Sequence, residues 1–371
     1  MTATRGLEGV VATTSSVSSI VNDVLTYRGY SIDDLAENAS FEEVVYLLWN
    51  DKLPTKSELD ELNKELADHA EIPQAVIEQM KAYPIKEVHP MAALRTAVST
   101  LALYDEEADD MSEEANYRKA IRLQAKLPTI VAAFSRIREG QEPVQPKKGL
   151  SFAANFLYML TGKEPDDISE SAFNKALVLH ADHELNASTF TARVCVATLS
   201  DIYSGITAAI GALKGPLHGG ANERVMKMLT EIGDMENIEP YLEKAFANKE
   251  KIMGFGHRVY RTGDPRAKHL REMSKKLTQI TGEPKWYDMS IKIENIMKEQ
   301  KGLVPNVDFY SASVYHSLGI KHDLFTPIFA ISRVSGWTAH ILEQYSDNRL
   351  IRPRAEYIGK TNQKYIPIDE R

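Results

Sequence analysis

The 371-residue chain contains one cysteine, Cys195. A single thiol excludes an intramolecular disulfide framework and fits a reducing cytoplasm, and the neighbours Val194, Val196 and Ala197 suggest simple burial. Long apolar runs are also missing: no stretch approaches about 18 uninterrupted apolar residues, so a membrane span is not expected. No charged segment followed by an apolar stretch opens the chain, so export is not expected either. Excess positive charge is absent as well. A net charge of −8 argues against a general nucleic-acid or anionic-membrane surface, so any anion site must be a local pocket of concentrated arginines. Strand signals are sparse, confined to Val10 to Ser19 and the Leu25-Thr26-Tyr27-Arg28-Gly29-Tyr30 region, which together read as a small hairpin-like β element.

Helix signals dominate what is present. Ser40-Phe41-Glu42-Glu43 forms a capping box before Val44, Val45, Leu47 and Leu48, and Thr55-Lys56-Ser57-Glu58 does the same before Leu59, Leu62 and Leu66. Helical patterning continues over 112–138, 171–199, 240–250, 264–280 and 326–345, with Thr326-Pro327 opening the last. The Glu142-Pro143-Val144-Gln145-Pro146 segment reads as a surface loop, because the helical pattern resumes directly after it. The length favours two domains, and the fold class is all-α with a small β element near the N-terminus.

Three segments carry chemistry. Gly215-Pro216-Leu217-His218-Gly219-Gly220 puts a histidine on a glycine-flanked turn just before the apolar period of Ala221, Val225, Met228 and Leu229. His218 is expected at a helix N-terminus, where the dipole disfavours a positive ring and leaves an uncharged hydrogen-bond donor; a solvated turn residue is the bland alternative. Gly254-Phe255-Gly256-His257-Arg258-Val259-Tyr260-Arg261 again sets a histidine beside glycines, followed by Asp264 as helix cap, Pro265 in the first turn and Arg266 behind it. A dinucleotide fingerprint is rejected here, since the third glycine and a preceding β-branched strand are missing. In Val304-Pro305-Asn306-Val307-Asp308-Phe309, Asp308 sits among apolar residues just before a helical run, where its bland reading is a helix N-cap.

In this order, together with His180-Ala181-Asp182-His183-Glu184-Leu185-Asn186-Ala187-Ser188 and Ser332-Arg333, these segments resemble citrate synthase. The likeness extends from Arg5-Gly6-Leu7-Glu8-Gly9-Val10 to Arg352-Pro353-Arg354-Ala355, essentially the whole chain. It is nearest the short bacterial and archaeal form, of the type found in Gram-positive bacteria, without the extra N-terminal domain of the long NADH-regulated form. The resemblance implies a two-domain helical fold: a large domain from 1–219 and 321–371, and a small inserted domain from 220–320 that closes over substrate.

It implies an acyltransferase that condenses oxaloacetate with acetyl-CoA and hydrolyses citryl-CoA to citrate and CoA, the first step of the tricarboxylic acid cycle. Asp308 becomes the general base, His218 the donor to the thioester oxygen, and His257 the donor to the oxaloacetate carbonyl. His183, Arg266, Arg333 and Arg352 become ligands of the substrate carboxylates, where planar bidentate geometry favours arginine. CoA is expected along Ile252, Met253, Gly254, Phe255 and Gly256, with Arg261 as a phosphate partner; Arg354 is either a second phosphate partner or a solvated charge. His180 and His183, three apart on one helical face, have a spacing compatible with metal ligands. No cysteine or further histidine completes a site, so no metal is expected, and His180 reads as structural support. No cofactor beyond the acetyl-CoA substrate is implied. A homodimer is, with Arg352 entering the partner's site. Two other readings stay open: a 2-methylcitrate synthase that uses propionyl-CoA with the same residues, and a non-catalytic helical scaffold.

Overall fold

The computed structural model describes residues 5–7, 9–257, 260 and 263–371. Its elements are helical except for one three-stranded antiparallel sheet near the N-terminus. Ser18–Val21 pairs with Val24–Tyr27, and Thr26 then pairs with Ser31 of the short strand Tyr30–Ser31. The connecting residues Asn22 and Asp23 both adopt positive φ, 53° and 62°, which matches the right-handed strand twist in a two-residue hairpin. The first strand starts near the end of the expected Val10 to Ser19 region rather than running through it. Before the sheet, Ser16 is tied by its backbone N–H to Glu343 Oε1 at 2.7 Å.

Both predicted capping boxes form, Ser40 with Glu43 and Thr55 with Glu58, opening the helices Phe41–Asn50 and Lys56–Asp68. Reciprocal bonds of this kind satisfy two N–H groups that a helix start leaves orphaned. The helix Glu113–Arg138 and the helix Pro265–Ile280, capped by Asp264, lie where the periodicity puts them. The expected 240–250 helix begins earlier, at Ile238, and ends at Ala247.

One expected helix is broken. The 171–199 pattern resolves into Asp167–His180 and Ala187–Val196, separated by a loop in which Glu184 takes φ 49°. Left-handed backbone at a non-glycine residue is costly and persists only where its surroundings hold it. Here Ser18 Oγ accepts from the Glu184 backbone N–H at 2.9 Å, and Glu184 Oε1 accepts from the Ile20 backbone N–H at 3.0 Å. The small sheet therefore clamps this loop. His180 and His183 do not share a helical face: His180 ends one helix and His183 lies in the loop.

The helix Phe325–Ser346 runs through the middle of the molecule, with Ile328, Ile331, Arg333, Val334, Trp337 and Ile341 all buried. Burial on every side marks a core element rather than an amphipathic surface one. A Cβ at Gly336 would meet Ala181 O and Asp182 Oδ1, each at 2.4 Å. Only a missing side chain lets the 181–186 loop lie this close to the central helix. Cys195 is half-buried, not fully buried as its neighbours suggest. Among the described residues no helix is long and apolar enough to cross a membrane.

Candidate active site

His218 sits in the turn between the helices Ile202–Leu213 and Ala221–Ile232. The turn closes through Gly219 N–H to Leu213 O at 3.0 Å. A Cβ on Gly219 would come within 2.2 Å of that same carbonyl oxygen and 2.8 Å of Thr326 Cγ2. The ring is fixed by the earlier helix Ala187–Val196: the backbone N–H of Ser188 donates to His218 Nε2 at 3.2 Å, with Ser188 Oγ at 2.7 Å. An amide can only donate, so Nε2 is an acceptor and the neutral ring carries its proton on Nδ1. Burial first, then the positive charge of Arg333, pulls the imidazole down to about 4. His218 is thus neutral as expected, but desolvation outweighs the helix dipole: the first helical residue is Ala221.

His257 and Asp308 belong to one knot of backbone. Phe255 bridges Pro305, Gly256 N–H donates to Val304 O at 3.1 Å, and Asn306 N–H donates to Gly254 O at 2.9 Å. Asn306 Nδ2 adds a bond to Gly256 O at 2.9 Å. The cap of the helix Val307–Ser317 is Asn306, whose side chain accepts from the Asp308 backbone N–H at 3.0 Å. Asp308 is therefore not the cap, and no described residue donates to its carboxylate. Burial pushes its acid up to about 6; Asp264 adds to the rise, while Arg266, Arg333 and Arg224 oppose it. His257 accepts the Tyr260 backbone N–H on Nδ1 at 3.3 Å, which puts a neutral ring's proton on Nε2. Its imidazole is held below the ordinary value by burial, then by Arg266.

The cationic wall is unequal. Arg266, 3% exposed, is held by both oxygens of Asp264, at 2.9 Å from Nε and 2.8 Å from Nη2, and Asp264 Oδ2 also accepts from the Val307 backbone N–H at 2.9 Å. Arg333, 1% exposed, donates from Nε to His180 O at 2.8 Å and lies over the Phe329 ring at 4.6 Å. Among the described residues no carboxylate pairs with it. Burial pulls this guanidinium down to about 10, the mark of a cation stripped of water without a counter-ion. The charge of Arg333 is felt by His218, His183 and Asp308.

His183 is buried, and its imidazole is driven well down by desolvation and then by Arg266 and Arg333. His180 serves as support: its carbonyl holds Arg333, its Nδ1 donates to Ala176 O at 2.8 Å, and burial lowers its ring to about 3.

The remaining predicted residues divide. Gly254 takes φ 83°, and a Cβ there would lie 2.9 Å from Phe309 and from Val225 Cγ2, so the close approach it permits is to its own fold. A Cβ at Gly256, at φ 76°, would have among the described residues only Leu303 within 4 Å, at 3.8 Å, and the position is otherwise open with respect to them. Ile252 is buried, while Met253 and Phe255 are half-buried against the core. Arg261 lies outside the described residues. Arg352 is exposed, in the segment beyond the helix that ends at Ser346, and among the described residues no hydrogen bond or ion pair joins it to these groups. Among the described residues, no group of three His, Cys, Asp or Glu could hold a metal ion. Sequence reasoning missed Ser188, Asn186 and Tyr260. Asn186-x-x-Thr189 is a legible cap signal, since Asn186 Oδ1 accepts from the Thr189 backbone N–H at 3.1 Å. The meeting of Ser188 with His218 has no local signature.

A neutral histidine donor, a partly desolvated carboxylate and a buried arginine with no ion-paired carboxylate among the described residues form an arrangement able to bind an anionic substrate and to move a proton. Residues 6–354 match the family described as citrate synthase, C-terminal domain. Citrate synthase 2 of Bacillus subtilis is 73% identical over 371 residues, covering 100% of both chains. The 2-methylcitrate synthase 1 of Corynebacterium glutamicum is more distant, at 43% identity over 99% of this chain and 98% of that one. The structure resembles the Thermoplasma acidophilum citrate synthase solved as a ternary complex with carboxymethyl coenzyme A and oxaloacetate. The TM-score is 0.93 with 36% identity, over 99% of each chain. The chain belongs to the citrate synthase family.

Proposed function

We infer that this citrate synthase condenses oxaloacetate with acetyl-CoA at the His218, His257 and Asp308 site and then hydrolyses citryl-CoA to citrate and CoA. The observation that carries this reading is the Ser188 backbone N–H on His218 Nε2, which leaves an Nδ1–H for the thioester oxygen. An ordinary aspartate, near pKa 3.9, is far too weak a base for a thioester methyl group unless the enolate is stabilised as it forms. His218 supplies that hydrogen bond, and a donor of this kind contributes about 2.7–4 kcal/mol to lowering a barrier. Asp308 takes the methyl proton, helped by an acidity already shifted to about 6. His257 Nε2–H polarises the oxaloacetate carbonyl and gives a proton as the new carbon–carbon bond forms.

Arg333, Arg266 and His183 hold the carboxylates, with Arg352 arriving from a second copy of the chain. The exposed segment around Arg352 supports a homodimer: Leu350 is 55% exposed, Tyr357 72% and Ile358 93%, apolar surface that a partner would cover. Residues 220–320 act as the smaller closing domain and the rest as the larger one. CoA runs past the open side of Gly256, with Arg261 on a phosphate. The reaction needs no metal or nicotinamide and takes place in the cytoplasm.

Thiol release tests the reading. Acetyl-CoA should release free thiol only with oxaloacetate present, and without added metal or nicotinamide. Turnover confined to propionyl-CoA would instead assign 2-methylcitrate synthesis, since one methylene changes pocket preference by only about 1–3 kcal/mol. No turnover with either would leave a scaffold.

A further inference from the structure

Tyr260 touches both histidines assigned to oxaloacetate. Its hydroxyl lies 2.9 Å from His183 Nε2, while its backbone N–H donates to His257 Nδ1 at 3.3 Å. Its ring centroid is 4.5 Å from that of His257 and 5.5 Å from that of His183. The side chain is 5% exposed, and burial pushes the phenol well above its ordinary range. The hydroxyl therefore keeps its proton near neutral pH. Among the described residues, His183 Nε2 is the one hydrogen-bond partner of that hydroxyl. A buried O–H without an acceptor suffers the full desolvation penalty, so the hydroxyl donates and Nε2 accepts.

We propose that Tyr260 is a positioning residue that assigns opposite tautomers to the two histidines of the oxaloacetate site: Nδ1–H on His183 and Nε2–H on His257. One residue does this with two different groups, a side-chain hydroxyl and a main-chain amide. Each ring then presents a donor rather than a lone pair on its other nitrogen. His183 Nδ1–H can donate to a carboxylate oxygen, and His257 Nε2–H to the carbonyl that becomes the alcohol of the product. Reversing either tautomer would turn a lone pair toward an oxygen, a repulsive contact in place of a hydrogen bond.

The proposal rests on the roles assigned above to His183 and His257, yet the tautomers can be read without turnover. Long-range proton–nitrogen spectra of histidine-labelled, substrate-free protein should show His183 protonated at Nδ1 and His257 at Nε2. Tyr260→Phe removes only the hydroxyl. His183 should then become a tautomer mixture while His257 is unchanged, and KM for oxaloacetate should rise about tenfold with kcat altered by less than about twofold, the loss expected for one hydrogen bond. The opposite tautomers in the wild-type protein would overturn the proposal without any variant. So would an unchanged His183 pattern in a folded Tyr260→Phe protein. If the tautomers shift as expected while His183→Ala leaves oxaloacetate KM untouched, the substrate role of His183 fails and the tautomer assignment stands.

Discussion

Asp308 concentrates most of what the site demands of a single residue. Its acid is raised to about 6, chiefly by burial, and it must be ionised to accept a proton. Activity should therefore be complete above about pH 6 and fall roughly tenfold per unit below it, read as kcat/KM for the free enzyme. His218, already neutral above about 4, adds nothing to that limb. Asp308→Asn should lower kcat by on the order of 10² or more while oxaloacetate binding, measured by calorimetry, is retained. Stability moves the other way. A carboxyl raised in the folded state favours the protonated form, so its charge begins to weigh against folding above the ordinary carboxylate value and does so fully above about pH 6. The amide removes that charge, and because Asn306 is the cap, no cap is lost. The variant should melt at or above the wild-type temperature near pH 7. A lower melting temperature with near-normal turnover would remove Asp308 from the base role.

Among the elements, the turn around His218 is governed by a contact that no local pattern announces. The glycines of that turn are visible in the sequence, and so is the restart of the helix after them. That Gly219 must pass 2.2 Å from the Leu213 oxygen, measured to where its Cβ would be, appears only in three dimensions. Gly219→Ala should displace the His218 ring from Ser188 and lower kcat by on the order of 10², since misplacement by about 1 Å has that effect. A Gly219→Ala protein with wild-type kcat would show that the turn tolerates the displacement. Capping boxes, the Asp264 start and the long central helix were legible because their signals are local: a hydroxyl, an acid three residues on, an apolar period. The break between His180 and Ala187 was not. The apolar pattern continues through it, and the loop is held open by Ser18 and Ile20, far away in the chain. The same reasoning explains why Asp308 looked like a cap: Asn306 and Asp308 are both capping residue types, and only hydrogen-bond geometry decides between them.

For the molecule as a whole, the family and its fold could be recognised because the motif segments recur in one order along nearly the entire chain. Arg352 could not be located so simply, since within one chain it is exposed and no described hydrogen bond or ion pair joins it to the groups it is proposed to serve. Mixed dimers address this directly. Arg352→Ala and Asp308→Ala should each be nearly inactive alone. A mixed dimer has one site with both residues intact and one with neither, so random pairing of equal amounts should give about a quarter of wild-type activity if the sites are independent. Activity at the parental level, once two-tag purification shows that mixed dimers have formed, would confine Arg352 to its own chain or exclude it from catalysis. The crossing of residues 254–256 with 304–306 bears on a different property. Asp308 and His257, the proposed proton acceptor and donor, hang from the two arms of a single knot, so a displacement of the knot as a whole carries both together. Like a balanced pair of wires, such a knot should cancel disturbance common to its two arms and preserve the difference between them, the gap across which the proposed carbon–carbon bond would form.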